Sequence, residues 1–430
     1  MSAFVPIADV GTDAPGTLPR EQAASARTSA LGFREVTAVG LWCSFFLTSP
    51  FYIVRSGLPQ LSDLIMVALL GALLLFGRFE VPRWSFRAVN AVTLFVLYVF
   101  TVDMIWLVIT GDTGFLFTAS YFVYNLMVCL AFLSLYHWLG RPFLQWTAGA
   151  VCISLLLQGA LSFFYRQGGH GREILFFDNP NQLGYYAVLY GSIFWVWADS
   201  RASRRTRPLL GSLCVYALAL YLSVLSLSRA AIVSSGLLLM LAGLKSPKLL
   251  AATALLALAA LFGGAQWEQQ RAAGNRFESR SRGSVTAELV GRGYDRILRY
   301  PQYLLLGAGE GRPSRFSLPG SKEQYELHSS LATVLFCYGI AGMFLFLHIF
   351  VILGRQCGLF SLVYLLPVLL YGMTHMGLRQ SEFWVLMMLL LCVRWGSDRI
   401  AAGKPCAIDR QGRPPDEPGS TTAPVMSEAR

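Results

Sequence analysis

Long apolar runs separated by short polar loops fill most of this chain. The runs 88–109 and 209–226 hold a single charge between them, Asp103. Each is long enough to cross a bilayer core, which takes roughly 17–25 residues. The pattern predicts an all-α, polytopic membrane protein with about twelve spans. They are residues 36–54, 62–77, 88–109, 115–135, 143–165, 181–198, 209–226, 229–244, 248–264, 329–353, 358–374 and 381–396. The stretch 208–244 decides the count, because it contains one charge, Arg229, and divides into two spans only with a tight turn near Ser226–Arg229. One span there would put the basic loops on opposite sides of the membrane, against the bias of Lys and Arg toward the cytoplasm.

With two spans, Arg78, Arg83 and Arg87, then Arg141, then Arg201, Arg204, Arg205 and Arg207, then Lys245 and Lys248, and Arg355 all fall on one side. That side is expected to be cytoplasmic and to carry both tails, 1–34 and 397–430, as disordered segments flanking a membrane domain at 35–396. The first 34 residues lack an apolar core, so they read as a tail and not as a cleaved signal peptide. The one long polar stretch, residues 265–328, faces outward on this count. Within it, the run Tyr294–Tyr300 has the pattern of an amphipathic helix lying on the outer surface.

Composition agrees: 55% of residues are hydrophobic and 14% charged, against about 25% charged in soluble domains. The net charge of +11 resides largely in the short loops and tails, where membrane orientation requires it, and does not indicate nucleic-acid binding. Most cysteines sit singly in apolar runs and no CxxC pair exists, so neither a metal centre nor a disulfide framework is expected. The sequence has no HExxH, GxSxG or Walker loop. Gly307-Ala308-Gly309-Glu310-Gly311 lacks the strand–helix setting of a nucleotide loop and reads as a tight turn re-entering the membrane surface.

Four outward segments carry arginine against the positive-inside bias: Arg55, the pair Arg166 and Arg172, Arg229, and Arg379. Snorkelling to lipid phosphate accounts for Arg55. Arg229 lies between two apolar runs, where a cation needs an anionic partner. Guanidinium groups donate paired hydrogen bonds to phosphate, so arginines converging on the outer boundary suit a lipid-linked diphosphate. Asp178, Asn179 or Asn181 is placed to cap the helix that starts near Pro180, and that helix N-terminus adds to an anion site.

His328, in Glu326-Leu327-His328-Ser329-Ser330, falls in the first turn of an outward-starting helix, whose dipole disfavours the imidazolium. A neutral imidazole accepts a proton. Glu326 is placed to orient the ring or to oppose the dipole. Gly339 and Gly342 lie on one side of the same helix and favour close packing. His137 and His348 read as structural, His170 and His375 have no strong context, and Asp103 is an intramembrane acid without an obvious partner.

His328-Ser329, nine residues, then Gly339-Ile340-Ala341-Gly342 resembles the signature of the O-antigen ligase family, which is His, then Asn, Ser or Gln, nine residues and Gly-x-x-Gly. Arg229-Ala230-Ala231-Ile232-Val233 resembles the family's Arg-x-x-x-Leu element, with Val233 in place of leucine. Gly291-Arg292, Pro301 and Gly307–Gly311 look like its large periplasmic loop, and the Asn179-Pro180-Asn181 turn is similar too. The resemblance covers roughly residues 165–395. It implies a GT-C-type, metal- and cofactor-independent glycosyltransferase of the bacterial inner membrane. Such enzymes pass a glycan from undecaprenyl diphosphate to an acceptor hydroxyl at the periplasmic face. They include O-antigen ligases, surface-polysaccharide (O-antigen or exopolysaccharide) polymerases and protein O-oligosaccharyltransferases.

Carried over by position, His328 would be the base and Arg229 would hold the diphosphate, helped by Arg292. Arg172, Arg379 and Asn181 join the binding set from topology, and Glu326 from its place beside His328. The implied partners are the lipid-linked donor, a glycan or lipid A core acceptor, the bilayer, and other polysaccharide assembly proteins. Competing readings are a transporter and a non-catalytic scaffold of a polysaccharide assembly complex.

Overall fold

Backbone removed from water must satisfy its own N–H and C=O groups, and a helix does so within one segment. The apolar runs accordingly fold as helices. The computed structural model describes residues 31–54, 59–165, 172–201, 209–244, 248, 251–252, 255, 292–316 and 327–401. Most of both tails and of the span 248–264, together with Arg55, Arg166, His170, Gly291 and Glu326, lies outside the described residues. The first helices are α1 (Phe33–Thr48), α2 (Leu61–Leu75), α3 (Phe86–Thr110), α4 (Gly114–Leu139), α5 (Arg141–Phe164), α6 (Pro180–Ser200), α7 (Leu209–Leu225) and α8 (Arg229–Leu244). The short α9 (Asp295–Arg299), the long α10 (Ser330–Cys357), α11 (Leu366–Gly372) and α12 (Ser381–Ala401) follow. No strand occurs among the described residues. Four segments, Arg83–Thr110, Gly114–Leu139, Arg141–Phe164 and Ser330–Cys357, are long and apolar enough to cross a membrane. The protein is all-α and suited to a bilayer.

A helix that is apolar all round belongs in the interior. α6 is buried on nearly all sides, and α12 is buried without a break from Ser381 to Cys392. α6 packs on α5, α7, α8, α11 and α12, while α12 also packs on α4 and α10. α1 packs on α2 and α5, and α3 pairs with α4 and α10. The outer faces of α3 and α10 expose Leu94, Leu97, Val108 and Phe344, a surface for lipid chains.

The stretch 208–244 forms two helices around a tight turn. Ser226 Oγ accepts the Ser228 N–H at 3.2 Å, and Leu227 takes φ +46°. Ser223 and Ser235, equally distant from Arg229, meet at 2.7 Å between hydroxyls, so α7 and α8 form an antiparallel hairpin.

Two expected elements differ in form. Helix α10 is not continuous: Gly339 has φ +68° and ψ −172° and breaks it. The run 358–374 is a 3-10 helix over Leu359–Leu365 followed by α11. Pro367 lies in the first turn of α11, the position where its missing N–H costs nothing.

The segments that carry Arg78, Arg83, Arg141 and Arg355 gather at one end of the bundle. There Trp84 stacks on Trp395 at 5.1 Å between ring centroids, Gln356 donates to Trp84 O at 3.2 Å, and Arg78 lies over Trp138. The starts of α6, α8, α10 and α12 lie at the opposite end, joined by the contacts below.

Candidate functional site

Asn179 caps α6: its side chain accepts the Gln182 N–H at 3.0 Å, and the Gln182 side chain accepts in return from the Asn179 N–H. This frees Asn181 from capping. Its Oδ1 accepts from Arg172 Nη2 at 3.0 Å, and Arg172 Nε donates to Ser226 O at 3.0 Å. Arg172 thus ties the start of α6 to the α7–α8 turn. Arg229, half-buried, is the first residue of α8, one residue beyond Ser228. Ser228 Oγ meets the Tyr371 hydroxyl at 3.2 Å, and that hydroxyl donates to Asn181 O at 2.7 Å.

Tyr371 ends this chain of contacts at His375. The two ring centroids are 5.6 Å apart, and Tyr185 packs on both rings, at 5.3 Å from each. Ser330 Oγ donates to His375 O at 3.0 Å and accepts the Gly377 N–H at 2.9 Å, locking this loop to the first turn of α10. The cap of α10 is Ser329, whose side chain accepts the Ala332 N–H at 3.2 Å. His328 is therefore not in the first turn of the helix. It precedes the cap and is exposed, because the capping geometry turns the chain out of the helix at Ser329. Its N–H donates to Arg292 O at 3.3 Å, and Arg292 Nη1 donates to Thr374 O at 3.0 Å. The charges of Arg172 and Arg292 both reach the Tyr371 hydroxyl, and that of His328 reaches His375. Burial, with the positive charge of His328 and Arg379, pushes the His375 imidazole down to about 3.

A second polar group lies on the other side of the start of α10. Residues 301–311 run back along the bundle into the break at Gly339. The Ala308 and Gly309 N–H groups donate to Phe336 O and Cys337 O at 3.0 and 2.8 Å, carbonyls freed by the break. Tyr98 donates to Leu306 O and Trp106 Nε1 to Gly307 O, at 3.0 and 3.1 Å. Gly339 lies nine residues past Ser330, which is about 14 Å at 1.5 Å per residue. This segment re-enters the bundle to that depth. Gly307 has no alternative there, since a Cβ would fall 2.3 Å from Cys337 O.

The re-entrant segment brings Glu310 to Asp103. The Glu310 N–H donates to Asp103 Oδ1 at 2.9 Å, and the Tyr338 hydroxyl bonds Glu310 Oε2 and Asp103 Oδ2 at 3.1 and 3.3 Å. Arg379 Nη2 pairs with Glu310 Oε1 at 2.7 Å. Asp103, which has no evident partner in the sequence, therefore belongs to a buried network drawn from α3, α10 and two loops. Arg315 lies over Trp106, Phe115 and Phe316 and donates to Ala308 O and Gly309 O, holding the segment in place. Burial lowers its pKa from the usual arginine value.

Between this segment, the start of α4 and the start of α10 lies a cavity of about 400 Å³. Arg296, Arg312, Arg379 and Glu310 are its charged lining groups. Tyr294, Ile297 and Tyr300 pack against the core and Arg299 is exposed, as in an amphipathic segment, but two residues depart from that pattern. In α9, Arg296 is buried against Phe316 and Leu298 is exposed, because the cation faces the polar cavity.

The structure thus gathers His328, Arg292, Arg172 and Asn181 around Tyr371 and His375, sets Arg229 one residue past the Ser228 that meets Tyr371, and pairs Arg379 with Glu310, from where its charge still reaches His375. Glu326 lies outside the described residues. Sequence reasoning missed His375, Tyr371, Arg296, Arg312 and Glu310. The available signal was weak: a histidine between two outward helix ends, and a lone acid in a glycine-rich turn. The glycines of Gly339-Ile340-Ala341-Gly342 do different things. Gly339 breaks the helix, while Gly342 admits Tyr98, whose ring would lie 3.2 Å from an added Cβ. Neither a protein-family model nor a curated protein matches the chain.

Proposed function

We propose that this protein is a lipid-linked glycan transferase of the bacterial inner membrane, with about twelve spans, a GT-C-like fold and the His328 end facing the periplasm. It acts as an O-antigen or exopolysaccharide polymerase or as an O-antigen ligase. One observation carries the reading. His328 and Arg292 share a backbone hydrogen bond, and both connect through Tyr371 and His375 to Arg172, Asn181 and the Ser228–Arg229 turn. A histidine and several cations thus lie together, at the end of the bundle away from Trp84 and Trp395, which suits a base beside an anion site.

Arg229 occupies the N-terminal turn of α8, where the helix dipole is also positive. A cation there costs about 0.3–1 kcal/mol unless an anion is held. A diphosphate answers both charges. In the reaction, His328 takes the proton of the acceptor hydroxyl as its oxygen attacks the anomeric carbon of the donor. The bond from that carbon to the diphosphate oxygen breaks, and undecaprenyl diphosphate leaves with the electron pair. Arg229, Arg172 and Arg292 stabilise the charge that develops on it.

A transporter is the second reading. The break in α10, the 3-10 to α transition before α11, and the acids Asp103 and Glu310 inside the bundle are features that transporters use. Turnover separates the two. Purified protein is incubated with an undecaprenyl-diphosphate saccharide and with glycan or lipid A core acceptors. The transferase releases undecaprenyl diphosphate as the acceptor is extended, and His328→Ala loses about 100-fold or more in rate. Full activity in His328→Ala, or no turnover with any donor, overturns the proposal.

A further inference from the structure

Two buried acids inside the bundle play no part in the proposed transfer. Asp103 of α3 has no exposed surface, and Glu310 of the re-entrant segment is 8% exposed. Each of their four oxygens has a defined partner. Asp103 Oδ1 accepts the Glu310 N–H at 2.9 Å, and Glu310 Oε1 accepts from Arg379 Nη2 at 2.7 Å. The remaining oxygens, Asp103 Oδ2 and Glu310 Oε2, share one group, the buried Tyr338 hydroxyl, at 3.3 and 3.1 Å. No other donor reaches these two oxygens among the described residues. A phenol carries one proton and donates one hydrogen bond. With both acids ionised, it serves one carboxylate and turns its lone pairs on the other, and a buried charge left without its hydrogen bond is strongly disfavoured. One additional proton removes the conflict. Protonated at Oδ2, Asp103 donates to the Tyr338 oxygen, Tyr338 donates to Glu310 Oε2, and Arg379 completes Glu310 at Oε1. Every oxygen in the row then has a partner of the right sense.

We infer that Asp103, Tyr338 and Glu310 form a proton-binding site, in which the two acids share one proton at neutral pH through the tyrosine hydroxyl. The Arg379 guanidinium holds Glu310 ionised, so the proton rests on Asp103. It moves by a double exchange. Asp103 gives its proton to the Tyr338 oxygen as the phenolic proton passes to Glu310, and the phenol is neutral before and after. Glu310 lines the cavity and Asp103 does not, so the proton enters from the cavity at Glu310. The other titratable groups near the pair are the Cys337 thiol on α10, Arg379 before α12, Arg312 and Arg315 on the loop, and Arg296 on α9. Of these, Arg379 alone bonds either acid: Arg312 pairs with Asp112, and Arg315 donates to Ala308 O and Gly309 O. The shared proton also latches the re-entrant segment, because Glu310 ties that segment to α3 directly and to α10 through Tyr338. Its loss sets two carboxylates against each other over one hydroxyl and loosens residues 307–311 from the break in α10. The site stands independently of the transferase reading.

Infrared spectroscopy on the full chain in nanodiscs reads the proton directly. A protonated carboxyl has a C=O stretch apart from the amide and carboxylate bands, and the band moves in heavy water. At about pH 7, where an ordinary aspartate is ionised, the wild type shows this band and Asp103→Asn lacks it. Asp103→Asn mimics the protonated acid, since its amide donates to Tyr338 and its carbonyl accepts the Glu310 N–H. A wild-type sample carrying carboxyl-labelled aspartate needs no variant, and there the band shifts with the label. Tyr338→Phe and Glu310→Gln each displace the band, whereas Glu80→Gln, beside His137 at the far end of the bundle, leaves it unchanged. Hydrogen exchange at the Ala308 and Gly309 amides, which donate to Phe336 O and Cys337 O, reads the latch. Corrected for the intrinsic rate, their protection falls about tenfold or more between about pH 6 and about pH 9 in the wild type, and less than about twofold in Asp103→Asn. The inference is overturned if wild type and Asp103→Asn show no difference in the carboxyl band, or if the band ignores the aspartate label. A band indifferent to both Tyr338→Phe and Glu310→Gln overturns the sharing. Equal pH dependence of exchange in wild type and Asp103→Asn overturns the latch.

Discussion

His375 packs against the paired rings of Tyr185 and Tyr371 with its carbonyl held by Ser330, a buried setting that resists a charged imidazole. Unfolded, the ring takes up a proton near its ordinary 6.5; folded, it does so only near 3. Between those values the unfolded chain binds more protons, so acid favours unfolding. The stability this group provides is complete above about pH 6.5 and is lost as the pH falls toward about 3. The thermal midpoint of the wild type therefore drops more steeply between about pH 7 and about pH 5 than that of His375→Asn. Equal slopes would show that His375 does not carry the effect. At this scale His328 and Arg229 were legible, because a histidine beside a helix start and an arginine between apolar runs break local rules. His375 was not legible. Its setting comes from Tyr371, one helical turn before it, and from Tyr185 and Ser330, which are distant in the chain. The choice among Asp178, Asn179 and Asn181 as the cap of α6 was also open in the sequence; the Asn179 side chain takes it by accepting the Gln182 N–H, and Asn181 turns to Arg172.

Helix α10 shows what single elements decide. Its apolar run reads as one helix, and period alone does not distinguish a continuous helix from two halves. The break at Gly339 becomes necessary only when residues 301–311 lie against it and donate to Phe336 O and Cys337 O. A Cβ at Gly339 would meet Leu305 O at 2.5 Å and would force a left-handed φ on an L-residue. Gly339→Ala is expected to destabilise by about 1–3 kcal/mol, read as a lower unfolding midpoint in detergent. Gly236 lies in the regular helix α8 with open space around it. Gly236→Ala is expected to be neutral or to stabilise by up to about 1 kcal/mol. If both variants behaved alike, the break would be a tolerance of the sequence and not a requirement of the packing.

Across the molecule, the segments that carry Arg78, Arg83, Arg141 and Arg355 lie at the end of the bundle opposite the His328 group. In a cysteine-free background, Arg83→Cys and Arg312→Cys are expected to react with a membrane-impermeant thiol reagent from opposite faces of the membrane, Arg312→Cys from the periplasmic face. Reaction from the same face would overturn the proposed orientation. The sequence by itself determined the all-helical, apolar character of the chain and the two-helix division of 208–244. Hydrophobic period and the cost of burying charge act locally, and both can be read along a chain. Only the tertiary structure decided which residues meet. It drew Arg172, Arg292, Arg229 and His328 toward Tyr371 and His375, and sent Arg379 to Glu310. It also folded a glycine-rich loop into a broken helix beside a basic cavity. These outcomes depend on helices packing at given depths and angles, which no local pattern encodes.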